Sequence, residues 1–358
     1  MADRKMVQTV LNFGQGGTAP TIRKPNPREA ATVDADSDQM EDVQLTDTTT
    51  TTEPSTQLTW STTSFTADST MASDSRRKIL TRVARETIAL LPNVLETAPH
   101  APPKGYLYTD PPLLNQKYCP RFPPTAIRIL NDDTLDTAIG LAQCAKYITV
   151  RDKRPVCVLN MANAYSAGGG WKRGALAQEE TLCYRSSLSF TLKRRYYPIP
   201  ELSAIYSPTV LVLRKSITDG HGLLRLEEPE NLPVVSVVSV AALCRPELMQ
   251  GRTREKFKDP YDRELTKEKM RVTLRTAAVN GHRRLVLGAL GCGAFLNPRE
   301  EVADCWAEVL REQEFTGGWW ESVIFAVLDD LGQGKDGDGN TFDNGTYGRV
   351  IEKISPEK

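Results

Sequence analysis

Six short, almost unbroken apolar runs constrain this chain most: Ala126–Leu130, Val156–Met161, Thr209–Leu213, Val234–Val240, Arg284–Ala289 and Ser322–Leu328. They are continuous rather than alternating, as expected of strands buried on both faces of a largely parallel sheet covered by helices. Helical patterns lie between some of them. Thr134–Tyr147 carries Leu135, Ala138, Ile139, Leu141 and Ala142 on one side, with Asp133 as its expected N-cap. Asp262–Val279 is charged outside and apolar at Leu265, Met270, Leu274 and Ala278. Arg299–Arg311 follows Asn297 as expected N-cap and Pro298 at N1, with Glu300 and Glu301 in the favourable first turn. The pattern predicts a three-layer α/β/α domain with a mixed, largely parallel sheet. An N-terminal helical extension starts near Arg76 and is closed by Pro92, and a Pro-rich stretch from His100 to Pro112 wraps the surface.

Charge divides the 358 residues into parts. The totals are 45 basic and 45 acidic side chains, yet Glu29–Ser75 contains ten acids and no Lys or Arg. Residues 1–28 carry a net +4, and residues 76–358 a net +6. Thr46–Thr70 holds twelve threonines. Such a segment buries too little apolar area to offset about 1–2 kcal/mol per residue of ordering entropy. Residues 1–75 are therefore expected to be a disordered acidic tail with a short leader, and residues 76–358 the folded domain, with its core at about 82–331. Gln8–Phe13 is only loosely like a docking peptide, and chance is the better reading.

No window approaches the roughly 20 apolar residues of a membrane helix, and the N-terminus lacks the apolar core of a secretory signal. Seven scattered cysteines, an odd number without a CxxC pair, argue for a reducing compartment inside the cell, nucleus or cytoplasm. His100, His221 and His282 lack ligand spacing. No oligomerisation signal is visible, so a monomer is the default.

Chemistry concentrates in two stretches. In the first, the Val156–Met161 strand runs through Asn163 into Gly168, Gly169 and Gly170, then to Gln178, Glu179 and Glu180 at the start of a predicted helix. Three glycines let backbone approach a ligand closely and adopt positive φ. Asn160 and Asn163 read either as ligand groups or as turn formers. Glu179 and Glu180, being adjacent, do not share a helix face, so one can meet a substrate while the other anchors a hydroxyl or the backbone. Desolvation or a neighbouring negative charge raises a carboxyl pKa, as a proton donor near neutral pH requires. In the second stretch, a strand passes through Gly288, Gly291, Cys292, Gly293, Ala294 and Phe295 into the helix after Asn297. Backbone N–H groups there suit a diphosphate. The spacing fits neither a Walker A loop nor the dinucleotide GxGxxG pattern. Phe295 reads equally as a ribose stack or a core plug.

Taken together, the Gly168–Gly170 run with Gln178–Glu180 and the GALGCGAFLNP loop resemble the signature of bacterial-type poly(ADP-ribose) glycohydrolases, which have a macrodomain fold. ILNDDTL (Ile129–Leu135), AIYSPTVLVLR (Ala204–Arg214) and VLDD (Val327–Asp330) extend the likeness across Arg82 to Leu331. Tyr165-Ser166-Ala167 departs from it, since related sequences often have proline there.

The resemblance implies a hydrolase of ribose–ribose O-glycosidic bonds that acts on poly(ADP-ribose) or ADP-ribosylated proteins and releases ADP-ribose. Glu180 would be the catalytic acid, protonating the leaving ribose oxygen as an oxocarbenium ion develops and then taking a proton from water. Glu179 would bind ribose hydroxyls, with Gln178 part of the same substrate site. Gly168, Gly169 and Gly170 would contact the distal ribose and diphosphate, and Asn163 would help hold that ribose. Gly291, Cys292, Gly293 and Ala294 would line the diphosphate, Phe295 would pack on the distal ribose, and Asp132 or Asp133 would meet adenine. No metal or cofactor is implied.

Two alternatives stand beside this reading: a non-catalytic ADP-ribose reader, and a hydrolase of mono-ADP-ribosylated protein or nucleic acid. Asp336–Tyr347 begins like a calcium loop but has Thr341 and Tyr347 where glycine and glutamate are required. The basic run Arg252–Arg275 is interleaved with acids and reads as a solvated helix.

Overall fold

The computed structural model describes residues 69–148, 154–252 and 254–328. Most of the expected tail, the Gln8–Phe13 segment, Asp329–Asp330 and the Asp336–Tyr347 turn lie outside the described residues. The elements run α1 (Ser69–Glu96), β1 (Tyr106–Thr109), β2 (Ala126–Leu130), α2 (Thr134–Ile148), β3 (Cys157–Ala162), α3 (Gln178–Arg185), α4 (Leu188–Thr191) and β4 (Ser203–Leu211). There follow β5 (Val234–Ala241), β6 (Leu248–Gln250), β7 (Glu255–Phe257), α5 (Pro260–Val279), β8 (Arg284–Leu287), α6 (Arg299–Arg311) and β9 (Ser322–Ala326).

Among the described residues, seven strands form one sheet in the order β1-β4-β5-β3-β8-β9-β2. The five from β5 to β2 are parallel, and β4 runs antiparallel to both β5 and β1. The continuous apolar strands are buried as their composition requires. In β5, Val235 and Val237 face one core cluster with Val158, Val286 and Leu182, while Val238 and Val240 face the other with Leu159, Leu287 and Trp306. Helices α1, α2 and α3 cover the first face, and α5 and α6 the second. The short β6–β7 hairpin stands apart, tied to α6 where Phe257 N donates to Glu301 Oε2 at 2.7 Å.

Three local expectations are corrected. The first helix begins at Ser69 rather than near Arg76, and it continues through Pro92 to Glu96. Leu91 and Val94 are both buried, so packing holds the last turn although Pro92 supplies no N–H. The fourth strand spans Ser203–Leu211 rather than Thr209–Leu213, and its register shifts between Ser207 and Val210, around Pro208, which cannot donate to the ladder. Asn297 does not cap α6. Pro298 occupies the cap position, and the Asn297 amide is turned inward.

The two helices nearest the glycine stretch are locked together by charge. Asp133 caps α2, its Oδ1 accepting from Leu135 N at 2.7 Å and Asp136 N at 3.2 Å. Arg185, at the end of α3 and 1% exposed, forks onto Asp133 and Asp136. A buried guanidinium must be compensated on all sides, and removing it leaves the half-buried Asp133 carboxylate without its partner. Arg185→Ala is expected to lower unfolding stability by about 3–5 kcal/mol, and Asp136→Ala, at the more exposed partner, by distinctly less. Urea midpoints of the two variants check the order; equal losses would contradict it.

Candidate active site

All the site loops leave the carboxyl edge of the parallel strands, the usual place for a crevice in such sheets. After β3, the Asn163 side chain turns the chain by accepting from Tyr165 N and Ser166 N, both at 2.9 Å. Gly168 (φ +74) and Gly169 (φ +60) then hold the left-handed conformation. A Cβ on Gly168 would stand 2.8 Å from both Cys183 Sγ and Trp171 Cδ1, and one on Gly169 would run into Glu180 Oε1. The loop closes as a turn, Trp171–Arg173, clamped from α3 by the Tyr184 hydroxyl, which donates to Trp171 O at 2.8 Å and Ala175 O at 2.7 Å.

Helix α3 begins directly beneath this loop. Gln178 fastens it: Nε2 donates to Leu159 O at 2.7 Å and also contacts Thr134 Oγ1, while Oε1 accepts from Met161 N at 2.9 Å. Gln178 is thus spent on the backbone of β3, which corrects its expected place among the substrate ligands. β8 pairs with β3 only at Cys157 and Val158, and the Gln178 amide fills the strand positions beyond.

Glu179 is 3% exposed and accepts from Asn160 Nδ2 at 3.3 Å and Asn163 N at 2.7 Å. Burial pushes its carboxyl up to about 8, against the pull of these donors. Glu180 Oε1 accepts from Gly170 N at 2.8 Å, while its Oε2 has no partner among the described residues. Although adjacent in sequence, both carboxylates converge on Gly169, because they occupy the first turn of a helix that starts under the loop.

Asn160 is the residue whose part the sequence left open. It shares the face of β3 with Val158 and Ala162, and that parity is the signal that places it towards α3. Its Nδ2 also reaches Ser239 Oγ at 3.0 Å, and its buried Oδ1 has no partner among the described residues. A half-turn of the amide would offer Oδ1 to a protonated Glu179, so the same side chain suits either charge state.

The second loop follows β8, beside β3. Asn297 Nδ2 ties it together, donating to Leu243 O at 2.7 Å, Gly291 O at 3.1 Å and Phe295 O at 3.3 Å. Gly293 and Ala294 are exposed and Phe295 is half-buried. Their three N–H groups donate to nothing among the described residues, leaving a row of free donors. Cys292 departs from its expected place along the diphosphate: its N–H closes a turn on Ala289 O at 3.0 Å and the residue is buried in the core. Asp133 is likewise consumed by the α2 cap and Arg185. Asp132 is engaged more lightly, by Asp133 N at 2.8 Å and Thr137 Oγ1 at 3.2 Å.

Two carboxylates under a glycine loop and a row of free amides make a site for acid–base work on an anionic sugar. The model of the catalytic domain of microbial-type PARG matches residues 35–215. The chain belongs to this family. It is a poly(ADP-ribose) glycohydrolase, a hydrolase that cuts the polymer to ADP-ribose. The matched span holds the glycine loop and Gln178–Glu180 but ends before the β8–α6 loop. Poly(ADP-ribose) glycohydrolase from Thermomonospora curvata is 26% identical with a TM-score of 0.58, over 77% of this chain and 99% of that one. Its complex with the inhibitor ADP-HPD gives 26% and 0.55 over the same shares. The Deinococcus radiodurans enzyme in complex with ADP-ribose is 26% identical with a TM-score of 0.51, over 70% of this chain and 94% of that one. No curated protein matches the chain.

The raised Glu179 carboxyl has a stability consequence. Between its ordinary value of 4.5 and about 8, the folded protein holds a proton that the unfolded chain has released. Stability therefore falls as pH rises through that window. From pH 5 to 8 the parent is expected to lose on the order of 1–3 kcal/mol more than Glu179→Gln, as denaturant unfolding at each pH would record. Parallel pH profiles would show that Glu179 ionises normally.

Proposed function

We propose that Glu180 performs the acid–base chemistry of the polymer cleavage. The observation that carries this is its unbonded Oε2, on a carboxylate whose Oε1 is fixed by Gly170 N at 2.8 Å. A proton on Oε2 would pass to the ribose oxygen leaving the anomeric carbon as positive charge develops on the sugar ring. The resulting carboxylate would then draw a proton from the attacking water. Glu179, held by Asn160 and Asn163, keeps lone pairs for ribose hydroxyls and fixes the angle of attack.

The same reading gives the Asn163 amide, whose Oδ1 is committed to the turn, an Nδ2 donor for the distal ribose. Gly168, Gly169 and Gly170 let that ribose and the diphosphate approach the backbone. The N–H groups of Gly291, Gly293 and Ala294 face the diphosphate, and Phe295 packs against the sugar. Asp132 is the acid left to accept from the adenine amine. Among the described residues six cysteines are free thiols, five of them buried, which supports a reducing compartment, nucleus or cytoplasm. No described helix is long and apolar enough to cross a membrane.

Glu180→Gln is expected to cut polymer hydrolysis by about 10²–10⁴-fold while free ADP-ribose still binds, measured by product release and calorimetry. Full activity in a folded variant would remove Glu180 from the role. Gly169→Ala should be nearly as damaging to turnover, because its Cβ displaces the Glu180 carboxylate and its positive φ costs roughly 1 kcal/mol more. Unchanged turnover there would mean that the carboxylate position is not critical.

A further inference from the structure

Positive charge on this domain is distributed unevenly. On α5, Arg263, Arg271 and Arg275 are ion-paired with Glu301 and Glu308, Glu312, and Glu314 respectively, so acids of α6 and the turn after it offset the charge of these arginines. Helix α1 differs. Arg77, Lys78, Arg82 and Arg85 are exposed and enter no ion pair among the described residues, while neighbouring Glu86 is taken by Arg214. Lys78, Arg82 and Arg85 recur at i, i+4 and i+7, opposite the buried Leu80, Ala84 and Leu91.

This charged helix lies against the catalytic loop. Arg77 Nε donates to Arg173 O at 2.9 Å, and Thr81 and the Arg77 backbone crowd Gly174. Lys172 and Arg173 are themselves exposed and unpaired among the described residues. Their turn begins immediately after Gly170, whose N–H holds Glu180. A strip of six cations without an ion-pair partner among the described residues thus runs from the edge of the carboxylate site outwards along α1.

We propose that this strip binds the polymer on the leaving side of the bond being cut, by pairing with the diphosphates of the units that stay attached. The proposal rests on the reading of the site as a poly(ADP-ribose) hydrolase. The N–H groups assigned to the terminal diphosphate belong to another element, the β8–α6 loop, so the strip is not needed for the terminal unit. It adjoins Glu180 instead, where the chain continues. Each further unit brings two negative charges, so six cations match about three units, and unpaired surface charge of one sign steers and retains such a chain at low salt. The strip is thereby a determinant of preference for polymer over singly modified acceptors.

The test uses the full chain carrying Glu180→Gln, which holds polymer without cutting it. Adding Lys78→Gln, Arg82→Gln and Arg85→Gln, all outward-facing, is expected to weaken long poly(ADP-ribose) roughly tenfold at low salt and to flatten the salt dependence, with free ADP-ribose within about twofold. With Glu180 restored, KM for long chains rises by a similar factor while that for the shortest cleavable chain moves far less. Equal affinity of parent and triple variant for long polymer overturns the proposal. So does an equal loss for free ADP-ribose, which would report damage to the fold, or a loss confined to single-stranded DNA, which would make the strip a nucleic-acid surface. If unmutated protein binds polymer but leaves it intact, the catalytic reading fails while the binding comparison still decides the strip.

Discussion

The site depends on one side chain whose amide is spent on the backbone of β3. Gln178 completes the hydrogen bonding of β3 beyond the reach of β8, accepting from Met161 N and donating to Leu159 O. A primary amide presents a donor and an acceptor side by side, so it can stand in for one residue of a missing strand. Because the next two residues are Glu179 and Glu180, pinning Gln178 fixes the height and rotation of both carboxylates against the sheet. At the far end, Arg185 pins the same helix to α2 through Asp133 and Asp136. An eight-residue helix is too short to hold itself. These two attachments give it the rigidity that positioned acid–base groups require.

Two chemically identical neighbours then acquire different properties from their surroundings. Glu179 is bonded through both oxygens and deeply buried, and its carboxyl is pushed up to about 8. Glu180 is bonded through one oxygen only, to the backbone of the glycine loop. Divergent environments for paired carboxyls are a recurrent way to divide anchoring from proton transfer. On the proposed roles, the raised group is the one that anchors. The Glu180 oxygen that has no partner among the described residues is what distinguishes the two.

Much of this was legible in the sequence, for identifiable reasons. β2 and α6 have the predicted bounds, and α2 ends one residue beyond them. Long apolar runs and capped amphipathic periods are strong local signals. The strand β1 was missed because its YLYT sits at an exposed edge without an apolar face, and the β6–β7 hairpin because three-residue strands carry no period. Pro92 and Asn297 misled for a common reason. Each obeys a local rule that tertiary contacts override, buried neighbours on either side of Pro92 and three carbonyls around the Asn297 amide. Glycines flagged the loop, but nothing local distinguished a ligand-binding Gln178 from a backbone-binding one. That required the end of β8, far along the chain.

Charge shows the same gap between composition and structure. By count, the Arg252–Arg275 stretch is the most obviously basic feature of the chain, and α1 a lesser one. Folding reverses the order, because α6 and the turn after it bring Glu308, Glu312 and Glu314 against the arginines of α5, whereas no element brings acids to Lys78, Arg82 or Arg85 among the described residues. A net charge is a sum over groups that never meet a ligand. What a polyanion meets is the charge left unpaired after packing, and among the described residues that remainder lies beside Glu179 and Glu180.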